Sequence, residues 1–154
     1  MAAMTLQEIA DRIEIEDLLT RYATAVDAKD WDLYATCFTP DAFIDYTAAG
    51  GIKGQLPEVK QWLAQVMPLF PMSQHIVTNC TVVLDGDTAR CRSYLFNPMG
   101  LREGDDGLML FFDGGYYHDK LVRTEGGWLI AERVEETAYT TRRHRIAASG
   151  ELPS

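Results

Sequence analysis

The sequence lacks any long apolar run and has few cysteines. None of its 154 residues lies in an apolar stretch near the ~20 residues that span a bilayer. The N-terminus also lacks the basic start and apolar run of a signal peptide. The three cysteines, Cys37, Cys80 and Cys91, are odd in number and form no C-x-x-C pair. We therefore expect a cytoplasmic protein with reduced, buried thiols.

Positive charge and histidine are also scarce. The 14 basic residues against 23 acidic ones give a net charge of −9, which disfavours nucleic acid and anionic membrane surfaces as partners. The three histidines are scattered and form no H-x-H pair. No Gly-rich phosphate loop and no G-x-S-x-G motif are present. The sequence thus predicts no metal, no organic cofactor and no serine-hydrolase chemistry.

The first half of the chain has helical patterns. Thr5 to Glu8 forms a capping box that opens a helix ending near Asp27. The apolar residues of this helix change face near residue 14, which predicts a bend or break there. The other elements predicted in this half are a helix from Trp31 to Phe38, a strand from Phe43 to Tyr46 and a helix from Pro57 to Val66.

The second half is rich in β-branched residues and turn residues. Strands are predicted over 74–84, 88–97, 108–123 and 128–137, with a bulge or bend at Gly114-Gly115. Helices followed by an antiparallel meander indicate an α+β fold. A strongly bent, mainly antiparallel sheet wrapped over helices would form a cone whose open end is a pocket. We expect one domain over 1–140 and a loose tail over 141–154.

Three polar residues are candidates for a functional site. Asp27 ends the first helix, His75 begins a strand, and Tyr46 ends the short early strand. A carboxylate that orients an imidazole makes a general base that works near neutral pH. A phenol can stabilise an oxygen on which charge develops. The alternatives are structural: Asp27 shapes a turn, His75 is a core or edge residue, and Tyr46 packs its ring.

The surroundings of these residues resemble the SnoaL-like branch of the NTF2-like superfamily, and within it the scytalone dehydratase-like proteins. The resemblance covers roughly residues 6 to 138. It rests on Tyr22-Ala-Thr-Ala-Val-Asp27-Ala-Lys-Asp-Trp31-Asp, on Phe38-Thr-Pro-Asp-Ala42 with Ile44-Asp-Tyr46, and on Ser73-Gln-His75. It implies a cone-shaped α+β barrel. It also implies that Asp27 is the catalytic carboxylate, His75 its histidine and Tyr46 a pocket tyrosine.

The chain departs from the dehydratase pattern at two positions. The tyrosine that precedes the aspartate is Val26 here, and the second pocket histidine falls near Phe112 or Gly114. The remaining Asp–His pair looks like the dyad of dehydrochlorinases on the same fold. In those enzymes an arginine on the last strand assists the leaving group. Arg133 is the loose match, and a solvated strand position is its alternative reading.

Two functions follow as hypotheses. The first is a cofactor-independent lyase or isomerase, of dehydratase, dehydrochlorinase or cyclase type, acting on a hydrophobic ring-containing small molecule. The alternative is a non-catalytic ligand-binding or assembly subunit, as the β subunits of ring-hydroxylating dioxygenases are. The residues predicted to line the substrate pocket, with plain core packing as their alternative, are Tyr22, Trp31, Phe96, Met109, Phe112, Tyr116 and Arg133.

The outer face of the sheet suggests self-association. If His75 points inward, strict alternation places Ile76, Thr78, Cys80 and Val82 on the outer face. Such a face is too apolar to be left in water. We therefore predict a homo-oligomer, with a trimer favoured over a dimer.

Overall fold

The computed structural model describes residues 3–104 and 107–141, and the backbone of 144–147. Its helices are α1 (Leu6–Ala28), α2 (Trp31–Ala35) and α3 (Leu56–Val66), with single 3-10 turns at Thr47–Ala49 and Met67–Leu69. Its strands are β1 (Phe38–Asp45), β2 (Lys53–Gln55), β3 (Met72–Ser73), β4 (Ile76–Asp85), β5 (Thr88–Glu103), β6 (Gly107–Thr124), β7 (Gly127–Thr140) and β8 (His144–Ala147).

The strands form one mixed sheet against which the helices pack. Its order is β2-β1-β7-β6-β5-β3, with β4 also paired to β5 and β8 to β6. Strand β1 runs parallel to β7, and the other pairs are antiparallel. The predicted α+β cone, with helices on the concave face of a bent sheet, is confirmed.

Helix α1 begins as the sequence predicts but does not break. The Thr5 side chain accepts from the Glu8 amide, and Glu8 accepts from the Thr5 amide, which completes the capping box. The helix then runs unbroken to Ala28, so the break predicted near residue 14 is wrong. The change of apolar face has another cause, because Leu6 and Ile13 are simply exposed.

A buried polar anchor fixes the first turns of α1. The Asp11 carboxylate accepts hydrogen bonds from both terminal nitrogens of Arg123 at 2.6 and 2.8 Å, and from the Trp128 indole at 3.1 Å. These bonds join the helix to β6 and β7. The position of the helix is therefore set by a charge pair at one end and by apolar packing at the other.

Two irregularities decide which side chains face inward. A register shift in β4 between Thr78 and Thr81 includes Asn79, whose φ is +52°. Beyond it, alternation is reversed. Ile76 and Thr78 lie on the outer face as predicted, but Cys80 is half-buried and Val82 is buried, so their predicted outward position is wrong.

A glycine pair bends β6. The register with β7 shifts between Gly114 and Gly115. A Cβ on Gly115 would collide with the Glu136 carbonyl, and one on Gly114 would collide with the Tyr139 ring. At Gly115 only glycine therefore allows this close approach of the two strands, and the predicted bulge or bend at this pair is confirmed as a register shift.

Several element boundaries differ from the sequence predictions. Helix α2 ends at Ala35, because the chain enters β1 at Phe38, and β1 is longer than predicted. Pro40 is tolerated in β1 because the pairing with β7 is interrupted between Phe38 and Phe43. Part of the predicted loose tail, His144–Ala147, pairs with residues 107–110 of β6. Within the described chain, no helix has the length and apolarity to span a membrane.

Candidate active site

A cavity of about 240 Å³ opens between the helices and the inner face of the sheet. Its walls come from α1, the segment after β1, α3 and strands β5 to β7. Its polar lining is Tyr22, Tyr46, His75, Asn97, Asp113, Tyr117 and Glu135. Its apolar lining includes Val26, Trp62, Leu63, Met67, Phe70, Met99 and Phe111. The cavity is thus an apolar chamber with one polar flank.

Asp27 and His75 meet at this cavity. His75 Nδ1 lies 2.7 Å from Asp27 Oδ1, and the His75 backbone amide donates to Asp27 Oδ2 at 2.8 Å. The Ser73 hydroxyl donates to Asp27 Oδ1 at 2.9 Å. An ionised carboxylate can only accept, so Nδ1 carries the proton and Nε2 keeps its lone pair.

The electrostatics of Asp27 keep it ionised. Burial opposes its ionisation, but the hydrogen bonds from His75 and Ser73 outweigh that effect and lower the carboxyl pKa below its ordinary value. The side chain of Asp27 is 26% exposed and that of His75 is 7% exposed. The imidazole is therefore held in one tautomer by a charged, mostly buried partner.

Asn97 contacts the other nitrogen of the imidazole. Its Nδ2 lies 3.2 Å from His75 Nε2, and its Oδ1 is buried with no hydrogen-bond partner among the described residues. Half a turn of the amide would exchange these two atoms and offer an acceptor to a protonated Nε2. Asn97 can thus match both protonation states of His75.

Four tyrosines form a directed chain of hydrogen bonds behind the dyad. The Tyr22 hydroxyl donates to Tyr117 at 3.2 Å. Each hydroxyl has one proton, so Tyr46 must donate to Tyr22 at 2.9 Å and Tyr34 to Tyr46 at 3.1 Å. The Tyr117 proton is the one left without an acceptor in the described part of the chain. Burial raises the pKa of all four phenols, which keeps them neutral donors.

Arg133 lies beneath this chain rather than in the cavity. Its guanidinium stands 4.0 Å from the ring centroids of both Tyr22 and Tyr117. It donates to both oxygens of Asp119 at 2.7 Å, and both side chains are fully buried. The predicted solvated position and the predicted pocket position of Arg133 are therefore both wrong. The positive charge of Arg133 instead lies against the ring of Tyr117, the phenol whose proton has no acceptor among the described residues.

Two carboxylates face the cavity from β6 and β7. Asp113 stands opposite Asn97, and Glu135 stands opposite Tyr117 in the strand pairing. Burial raises the pKa of Glu135 to about 7; Arg133 opposes this rise and Asp113 adds to it. No hydrogen bond or ion pair joins Glu135 to any other described residue. On the wall of the chamber it therefore keeps its proton at pH values where an exposed glutamate has lost it.

Most of the predicted pocket residues lie elsewhere. Of the ten predicted site residues, the structure brings Tyr22, Tyr46, Asp27 and His75 together. Trp31 packs against Tyr34, Phe96 stacks on Phe112, and Tyr116 packs against Tyr94 on the outer face. Met109 is partly buried farther along β6, outside the cavity lining. The assignment of Trp31, Phe96, Met109, Phe112 and Tyr116 to the pocket is therefore wrong.

Sequence reasoning missed Asn97, Asp113, Tyr117 and Glu135. Three of the wrong choices are next to a residue that does face the cavity: Phe96 precedes Asn97, Phe112 lies between Phe111 and Asp113, and Tyr116 precedes Tyr117. Side chains alternate along a strand, so the error is one of face.

Comparison with known proteins gives one family and several relatives. A family model described as a SnoaL-like domain matches residues 7–134. An uncharacterised protein, Rv2910c, of Mycobacterium tuberculosis strain H37Rv is 45% identical over 136 residues, which is 88% of this chain and 91% of that protein.

Solved structures share the fold. A candidate scytalone dehydratase from Novosphingobium aromaticivorans has 23% identity and a TM-score of 0.77 over 97% of this chain and 100% of its own. Hexachlorocyclohexane dehydrochlorinase LinA-type3 from Novosphingobium barchaimii has 22% identity and a TM-score of 0.75 over 97% of this chain and 99% of its own. A candidate aromatic ring hydroxylase from Novosphingobium aromaticivorans has 26% identity and a TM-score of 0.77 over 91% and 94%. The first two likenesses establish the fold alone.

Proposed function

The chain belongs to the SnoaL-like family, and we propose that it is a cofactor-independent lyase or isomerase. In this proposal His75 is the general base and Asp27 its partner, acting on a small hydrophobic molecule that contains a ring. The observation that carries the proposal is the 2.7 Å contact between His75 Nδ1 and Asp27 Oδ1 at the wall of an apolar cavity. A merely structural aspartate has no need of an imidazole that faces a chamber.

The base chemistry follows from the tautomer. The Nε2 lone pair removes a proton from a carbon next to a carbonyl, and Asp27 stabilises the imidazolium that forms. The substrate C–H takes the place of the Asn97 amide at Nε2. The amide then turns to accept from Nε2–H. General base catalysis of this kind contributes roughly 10²–10⁴-fold, so the rest of the acceleration comes from positioning in the dry chamber.

The oxygen that gains charge needs a donor. Tyr46 was expected to supply it, but the Tyr46 proton is committed to Tyr22 in the hydrogen-bond chain. We assign this part to Tyr117, whose proton is free and whose ring lies beside the Arg133 charge. The hydroxyls of Tyr34, Tyr46 and Tyr22 each donate to the next hydroxyl in the chain that ends at Tyr117. This chain of hydrogen bonds helps Tyr117 to stabilise the charge that develops on the substrate oxygen. Tyr46 supports Tyr117 through Tyr22.

The chamber limits the substrate. At about 240 Å³ it is below the usual range of roughly 300–1,000 Å³ for ligand pockets, so one or two fused rings fill it. Two structural neighbours are named for elimination reactions, a dehydratase and a dehydrochlorinase. Elimination from a ring carbon next to an acidified C–H is the reaction that this base and this donor serve best.

The alternative is a binding or assembly subunit. Ile76, Tyr94 and Phe96 are each about two-fifths exposed on the outer face of the sheet, which favours contact with another chain. One structural neighbour is named as a ring hydroxylase. This surface is separate from the cavity, so it is compatible with catalysis. The dyad distinguishes the two functions, since an assembly subunit does not require it.

The setting of the protein is part of the same proposal. We take it to be a cytoplasmic homo-oligomer that works without metal or organic cofactor and without nucleic acid or membrane partners. In the described residues, no three His, Cys, Asp or Glu side chains come together as a metal site would require.

The function can be tested with one defined probe. 3-Hydroxy-1-tetralone is a bicyclic β-hydroxy ketone. Elimination of water, which includes the proton next to its carbonyl, gives an enone that tautomerises to fluorescent 1-naphthol. We expect the wild-type protein to catalyse this reaction and Asp27→Asn to lower its rate by orders of magnitude. His118→Gln is the matched control, because His118 is exposed on the outer face and pairs with Glu136. Equal rates for wild type and Asp27→Asn would contradict the proposed base.

A further inference from the structure

Glu135 is one of two carboxyl groups in the chamber, with Asp113, that the base chemistry does not use. It stands directly across from Tyr117 in the pairing of β6 with β7, and both side chains line the cavity. His75 lies on another wall, next to Asn97 of β5. A molecule that fills the chamber therefore has the base at one side and this carboxyl at another.

The surroundings of Glu135 offer no structural reason for a carboxyl there. A buried carboxylate is normally paired or hydrogen-bonded, because desolvation of the charge is costly. Arg133, whose charge acts on Glu135, binds Asp119 through Nε and Nη2, and among the described residues no hydrogen bond joins it to Glu135. Asp113 also faces the cavity and disfavours a second negative charge. The side chain thus resembles an acid kept protonated in an apolar site rather than half of an ion pair.

We infer that Glu135 is the general acid that protonates a departing hydroxyl group, so that the natural substrates are β-hydroxy carbonyl compounds and the reaction is a dehydration. The inference rests on the proposed function, because it needs His75 as the base. Chloride leaves as a stable anion and requires no proton, whereas hydroxide is a poor leaving group unless it is protonated. A protonated carboxyl in the chamber is therefore useful for one leaving group and not for the other.

The proton balance closes with these residues. His75 Nε2 takes the proton from the carbon next to the carbonyl, and the electron pair of the C–H bond forms the enolate that Tyr117 stabilises. The C–O bond then breaks, its electron pair goes to oxygen, and that oxygen takes the proton of Glu135 and leaves as water. Glu135 is left as a carboxylate and His75 as an imidazolium. The imidazolium proton returns to Glu135 through solvent once the product has gone.

A pair of substrates that differ only in the leaving group tests the inference. 3-Hydroxy-1-tetralone and 3-chloro-1-tetralone lose water and hydrogen chloride respectively, and both give 1-naphthol. We expect Glu135→Gln to lower kcat for the hydroxyl compound by about 10²-fold or more and to leave kcat for the chloride near the wild-type value, after subtraction of the uncatalysed rate. His75→Gln should lower both. Glu136→Gln, which removes the neighbouring carboxylate on the outer face, should lower neither.

The two proposals fail in different ways. If wild type converts neither compound, or if His75→Gln converts both normally, the proposed function is contradicted. If His75→Gln is impaired on both compounds but Glu135→Gln slows them equally or not at all, the base stands and the acid is refuted. A selective loss on the hydroxyl compound in Asp113→Asn instead of Glu135→Gln would also refute the assignment of Glu135.

Discussion

The replacement Glu135→Gln should stabilise the folded protein at neutral and alkaline pH. Glutamine keeps the size of the side chain and removes its charge. In the folded state burial raises the pKa of Glu135 to about 7 from an ordinary 4.5, with Asp113 adding to the rise and Arg133 opposing it. The neighbouring phenols of Tyr22 and Tyr117 are neutral. At pH 8 wild type must therefore ionise a partly buried group that the variant lacks.

The size of the effect follows from linkage between proton binding and folding. Between pH 4.5 and about 7 the folded chain holds the Glu135 proton and the unfolded chain has lost it, so stability falls as pH rises through this window. At about 1.4 kcal/mol for each pH unit, the total loss is about 3.5 kcal/mol, and it is nearly complete at pH 8. We expect Glu135→Gln to be more stable than wild type by up to that amount at pH 8 and about equally stable at pH 4.

Urea unfolding from pH 4 to pH 8, followed by tryptophan fluorescence, measures this difference. Other carboxyls titrate in both proteins, so the difference between them isolates Glu135. Glu136→Gln serves as control. Glu136 pairs with His118 at the surface, and such exposed pairs contribute little to stability. We therefore expect the stability difference between Glu136→Gln and wild type not to grow between pH 4 and pH 8. A difference that stays constant from pH 4 to pH 8, or a variant less stable than wild type at pH 8, would refute the protonated state of Glu135.

Three further predictions concern other parts of the structure. Tyr117→Phe should lower kcat for 3-hydroxy-1-tetralone more than Tyr46→Phe does, because only the former removes the free proton; similar losses in steady-state rates would contradict this. Arg133→Met should destabilise the fold by about 3–5 kcal/mol, because it leaves the Asp119 carboxylate buried and unpaired. A loss of less than about 1 kcal/mol in urea unfolding would argue against an ion pair that is shielded from water. Phe96→Asp should lower the mass measured by light scattering if the outer face joins copies of the chain, and a monomeric wild type would count against that interface.

The fold was largely predictable because its determinants are local. The capping box at Thr5 and Glu8 starts α1 where expected, and the turn residues place the starts of the four long strands within two positions of the observed starts. The break predicted in α1 failed for a physical reason. Exposed apolar residues such as Leu6 and Ile13 look the same in sequence as a second buried face.

The site was only half predictable. Asp27 and His75 are 48 residues apart, and their neighbouring sequence motifs, not their spacing, indicated that they meet. Tyr117 and Glu135 were missed because the inner face of β6 and β7 cannot be read from alternation once the register shifts at Gly114-Gly115. The prediction assigned aromatic residues to the inside, whereas the chamber needs its polar groups there.

The rate of His75→Gln on 3-chloro-1-tetralone tests the central claim most directly. Chloride needs no acid to leave, so this reaction depends on the base and on the charge-stabilising donor but not on Glu135. The account predicts that kcat falls by about 10²–10⁴-fold relative to wild type while binding of the product 1-naphthol is unchanged. A kcat close to that of wild type, in a variant that still binds 1-naphthol, would contradict it.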